Sequence, residues 1–150
     1  MNGTATLAGR MVLISGSATL LHKKIESEVV QKLLLDIMKA SVDVSTSCIH
    51  NLSKGNQKKL YRLLQTWQAE FIKTQPTVIS IVLIMLFLST DLFEIAREMS
   101  DPRKAKKLEN ILDCVYSLNT IYDPDGEFFE GLLPDVSRLN DLFISLFNDN

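Results

Sequence analysis

Val78-Ile79-Ser80-Ile81-Val82-Leu83-Ile84-Met85-Leu86-Phe87-Leu88 decides the fold, because only Ser80 among these eleven residues is polar. A membrane-spanning helix needs about 20 apolar residues, whereas runs of about 10–14 are usually core helices. The run reaches Phe93 only by admitting Ser89, Thr90 and Asp91. Beyond it, Leu92, Ile95, Ala96 and Met99 alternate with Asp91, Glu94, Arg97 and Glu98 at helical period. The spacing therefore predicts one central helix over about 77–99. A helix with no polar face must be covered on every side, and the cover has to come from other helices.

The flanks supply that cover. Upstream, Leu60, Leu63, Leu64, Trp67, Phe71 and Ile72 form an apolar stripe that Gln75-Pro76 ends, since proline cannot continue the hydrogen-bond ladder. Ser53-Lys54-Gly55-Asn56 reads as a loop with an N-cap ahead of that helix. Downstream, Asp101 is an N-cap with Pro102 at the first helical position, opening a helix to about Tyr122. Asp123-Pro124-Asp125-Gly126 is a turn. The last helix is expected after Pro134, carrying Val136, Leu139, Leu142, Phe143, Leu146 and Phe147. Nearer the start, Lys23 to about Ala40 is amphipathic, and the apolar spacing continues through Val44, Cys48 and Leu52 across a Ser/Thr/Val-rich patch where a bend or restart is expected.

Residues 4–21 admit two readings. Thr4 to Ala8 and Met11 to Ser15 around Gly9-Arg10 fit a short β-hairpin. Leu7, Met11, Ile14, Ala18, Leu21 and Ile25 fit a helical stripe, which is preferred. The expected architecture is an all-α bundle of five to six helices in a single domain over 1–150. A content of 46% hydrophobic and 23% charged residues, with 6 Gly and 4 Pro, excludes a disordered or collagen-like chain.

The formal charge of −2 hides a polarity. Residues 1–122 carry 15 Lys and Arg against 11 Asp and Glu, a net of +4, while residues 123–150 carry 7 Asp and Glu against Arg138 alone, a net of −6. Two cysteines, Cys48 and Cys114, make neither a disulfide framework nor a zinc cluster. A cytoplasmic location is expected, since Gly16, Ser17 and Thr19 interrupt the apolar run after Arg10 and no signal-peptide core forms.

Motifs for chemistry are missing. With Gly126 at the sixth place of a calcium loop, Ile121 and Leu132 fall where carboxylates are required, so no EF-hand forms. Cys48, His50, Cys114 and His22 are too scattered for zinc. Neither a nucleophile elbow nor a phosphate-binding glycine loop is present. The chain is therefore expected to be no enzyme, to hold no metal or cofactor, and to have no pocket with titratable groups. The expected function is a regulatory or adaptor module for protein–protein interaction, acting as a homodimer through an apolar patch. Phe128, Phe129, Leu132, Leu139, Phe143 and Phe147 are the candidate patch, an aromatic series in an acidic frame. Leu35, and either Ile81 or Val82, fall outside any single stripe and add hints of self-association or helix-in-groove recognition. The alternative is a small DNA-binding regulator using Lys54, Lys58, Lys59 and Arg62 with Arg103, Lys104, Lys106 and Lys107. The expected partner is another protein or a second copy; a membrane is not expected.

Overall fold

Val78–Ser89 forms helix α4, and its start is fixed by a capping box in which Thr77 and Ser80 each bond the other's backbone amide. The rest of the computed structural model, which describes residues 3–148, closes around this rod. Before it come α1 (Gly3–His22), α2 (Glu28–His50) and α3 (Lys54–Lys73); after it come α5 (Leu92–Glu98), α6 (Pro102–Tyr122) and α7 (Glu127–Asn148). The described residues thus form seven helices, or six rods when α4 and α5 are taken as one, and contain no strand. The N-terminal hairpin is replaced by helix α1. One apolar core runs through them from Ala5 to Phe147.

The expected single helix over 77–99 is interrupted at Thr90 and Asp91. The buried Arg10 donates through Nη1 to the carbonyl of Leu88 at 2.9 Å and through Nη2 to Asp91 Oδ2 at 3.5 Å. Carbonyls in a last helical turn lack partners within the helix, and Arg10 supplies one.

α4 is not alone at the centre. α1 packs on α2, α3, α4 and α7, while α4 packs on α1, α6 and α7. Ala5, Leu7, Ala8, Met11, Leu13, Ile14, Ala18 and Leu21 are buried around the whole circumference of α1. Gly9 has a packing role rather than a turn role, because a Cβ there would lie 2.5 Å from Phe147 Cε1. α2 runs unbroken through the Ser/Thr patch, where Ser41 and Ser45 donate to the carbonyls of Ile37 and Val42. Such back-bonding satisfies buried hydroxyls inside a helix.

α7 begins before Pro134 and passes through it. Pro134 and Glu130, whose carbonyl loses its intrahelical donor, both lie on the exposed face, where water can replace the lost bond. The start of α7 is held from the preceding turn. Gly126 adopts φ +72°, and the buried Asp123 carboxylate accepts the amides of Phe128 and Phe129 at 3.0 Å each. At the other caps, Ser53 accepts from Asn56 and Asp101 from Arg103, so the expected loop at Ser53–Asn56 is already the first turn of α3.

Candidate partner-binding groove

Successive rods alternate in direction, which gives the bundle two distinct ends. One gathers the start of α1, the ends of α2 and α5 and the start of α6. The other gathers the starts of α4 and α7. Because α3 starts just beyond Asn51, Lys54 shares the first end with Arg103 and Lys104. The second end carries Asp123, Asp125, Glu127 and Glu130. The first is labelled the basic end and the second the acidic end after these clusters, although Glu98 and Asp101 share the first and Lys23, Lys24 and Lys73 the second.

At the acidic end, α4 and α7 leave a groove of about 590 Å³ lined by Thr77, Val78, Ile79, Glu127, Phe128, Gly131 and Leu132. The two amide bonds to Asp123 set the rotation of the first turn of α7 and so divide its phenylalanine pair. Phe129 turns inward and stacks on Phe87 of α4 at 5.8 Å between centroids. Phe128 turns outward and stays 50% exposed. Gly131, one turn further, leaves room beside it, and an added Cβ there meets nothing within 4 Å.

Only part of the candidate aromatic patch is therefore at the surface. Phe128 is exposed, Phe129 and Leu132 are half-buried, and Leu139, Phe143 and Phe147 belong to the core. Phe143 and Phe147 stack on each other at 4.5 Å. Phe143 also lies under the Arg10 guanidinium at 5.0 Å, and Phe147 covers Gly9. These three residues are taken up by α1 and α3. The unoccupied apolar surface comes instead from Val78 and Ile79, at the start of the central helix.

The basic residues are split in a different way. Lys54, Lys58, Arg62, Arg103 and Lys106 are exposed, and Lys59, Lys104 and Lys107 are half-buried. Lys107 pairs with Asp43 of α2 at 3.3 Å. α3 packs on α7 and α1, whereas α6 packs on α2, α4 and α5, so the two basic segments lie on helices that pack against different neighbours.

His22 closes α1, while Cys48 and His50 lie at the far end of α2. Among the described residues no group of three or more His, Cys, Asp or Glu side chains comes together. Burial pushes the Cys48 thiol up, with Lys104 acting in the opposite direction, and it pushes Cys114 up with help from Asp36 and Asp113. A thiol held protonated is a poor nucleophile. The expectation that no pocket would hold titratable groups fails, however. At the basic end a groove of about 660 Å³ is lined in part by Arg10, Cys48, Glu98 and Lys104. Arg10, like Val78, Ile79 and Gly131 of the α4–α7 groove, lies outside the candidate site residues that the sequence suggests. Its signal was present, since it is the only charged residue before Lys23.

No family model, curated protein or solved structure matches the chain. By length and composition alone, Gly3–His22 and Val78–Glu98 suffice to cross a membrane. The bundle buries 61% of the first and 44% of the second, and a buried core helix passes the same test of length and composition.

Proposed function

We propose that this protein is a non-enzymatic interaction module, regulatory or adaptor in role, whose α4–α7 groove receives an amphipathic helix with a basic flank from another protein. The half-exposed Phe128 carries this reading. A large aromatic side chain stands beside an apolar groove, held there by two hydrogen bonds to a buried carboxylate. Helix-in-groove recognition uses apolar anchors one turn apart, and Val78, Ile79, Phe128 and Leu132 offer a matching wall. The rim bears Glu127, with Glu130 and Asp125 exposed nearby, so charge complementarity selects a cationic flank. The same acidic rim disfavours symmetric pairing of two copies through this face.

The test uses a designed peptide with Leu and Phe along one helical face and Lys opposite, titrated by fluorescence anisotropy. Phe128→Glu and Gly131→Gln are each expected to weaken it by about tenfold or more. Gly131→Gln fills the groove while favouring the helix by about 0.5–1 kcal/mol, so lost binding cannot come from lost folding. A Glu-flanked version of the peptide is expected not to bind. Equal binding by parent and Gly131→Gln would overturn the proposal, as would indifference to the flanking charge.

Self-association is a separate proposal, supported by Leu35 and Val42, which are 48% and 47% exposed two turns apart on α2. Light scattering at micromolar concentration is expected to give a dimer that Leu35→Glu dissociates; a monomeric parent would overturn it. A cytoplasmic location is also proposed, in keeping with two free cysteines. A gel shift that weakens with salt, with the peptide unbound, would favour the nucleic-acid alternative through Lys54, Arg62, Arg103 and Lys106.

A further inference from the structure

The groove at the basic end is built around a charge that the fold leaves incompletely matched. Arg10 is 7% exposed, its Nε has no hydrogen-bond partner among the described residues, and its only ion pair is the 3.5 Å contact with Asp91, whose side chain is 60% exposed. A buried cation is costly unless it is closely paired and its donors are satisfied. Burial pushes the Arg10 guanidinium down from its ordinary value, and Asp91 works only partly against this. Nη1 is engaged by Leu88 and Nη2 by Asp91. The unpartnered Nε–H is itself enclosed by protein, so what Arg10 brings to the groove it lines is a buried positive charge set beside Lys104.

The groove that Arg10 lines also has Lys104, from the first turn of α6, and apolar walls from Leu7, Ile95 and Met99. Its volume of about 660 Å³ falls within the roughly 300–1,000 Å³ of small-molecule sites. Glu98 stands on the same lining and repels a second negative charge, so the head group that fits is compact and carries little more than one. We propose that this groove binds a small amphiphilic anion, a carboxylate or phosphate on an apolar chain, with Arg10 and Lys104 holding the head and Leu7, Ile95 and Met99 the chain. The site is distinct from the α4–α7 groove and does not depend on it.

Decanoate, decyl phosphate and decanol titrated into the full chain, followed by backbone amide NMR shifts, test this directly. At least one of the two anions is expected to bind, with shifts centred on Thr6, Leu7, Met99 and Lys104, and decanol is expected to bind about tenfold or more weakly. The stronger of decanoate and decyl phosphate identifies the head group. Lys104→Glu is expected to melt as the parent does and to lose about tenfold or more in affinity for the anion. Arg10→Met, which fills the same space without charge, is expected to abolish the preference for the anion over decanol; if this variant does not fold, Lys104→Glu decides. Equal affinity for decanol and both anions, shifts centred on the α4–α7 groove, unchanged binding by Lys104→Glu, or no binding at millimolar concentration would each overturn the proposal.

Discussion

Val82→Asp is expected to abolish the folded state at neutral pH. Val82 is buried on α4, which packs against α1, α6 and α7. Full burial can displace a carboxyl's ionisation by about 3–5 pH units; at neutral pH the resulting cost is capped at about 4 kcal/mol, because beyond that the buried carboxyl binds a proton instead. The lost packing of the valine adds to this. Domains of this size are stable by about 5–15 kcal/mol, so one such substitution removes most or all of the margin. The penalty has a definite pH sign. The folded-state ionisation is raised, so the ionisation part of the destabilisation is absent below the unfolded value of about 3.9 and grows as pH rises toward the folded-state value, while the packing part remains at every pH. Val82→Ala, a size control without charge, is expected to cost about 1–3 kcal/mol and remain folded. Circular dichroism melts check both. An aspartate variant melting like the parent would mean that α4 has an open side.

Trp67→Ala is the second large effect, and it tests how α3 is attached. Trp67 is fully buried, stacks on Phe71 at 5.2 Å and donates from Nε1 to the carbonyl of Leu139 on α7 at 2.8 Å. Removing the side chain is expected to cost about 3–5 kcal/mol from lost packing and the cavity left behind. Trp67→Phe keeps most of the ring and loses the donor, with an expected cost nearer 1–2 kcal/mol. Urea titrations of the two variants separate packing from hydrogen bonding. Equal losses would mean that the bond to Leu139, not the ring's burial, ties α3 to α7.

The parts of the fold legible in the sequence are those where local chemistry and apolar period agree. Asp101 with Pro102, Ser53 ahead of α3 and Gly126 in the last turn all signal element boundaries by what their own side chains and backbones can do. α1 was ambiguous because it is buried all round. Its helical stripe competes with apolar residues on other sides, and Gly9 and Gly16 imitate turn signals although Gly9 is small to admit Phe147. Pro134 was read as a helix start because proline ordinarily breaks a helix, and sequence alone does not reveal that the orphaned carbonyl faces water. The candidate site was half legible for a related reason. The stripe through Leu139, Phe143 and Phe147 is apolar whether it meets a partner or α1. Phe128 and Phe129 are neighbours of one type, and only the bonds from Asp123 separate the outward ring from the inward one. Asp123 itself looked like a turn residue, because its two amide partners lie five and six positions on.

The way Phe147 closes over Gly9 also constrains how the chain acquires its structure during synthesis. Of the seven helices α1 is made before the others and finds α2 by a short-range hairpin contact. Its remaining faces wait for α3, α4 and then α7, the seventh of these helices. Until α7 is made the nascent chain therefore carries an incompletely covered apolar rod. Domains made N-terminal first at about 5–20 residues per second expose such surfaces for seconds. Translation speed and access to holding chaperones should accordingly bear on this protein's yield more than on that of a bundle whose first helix lies at its edge.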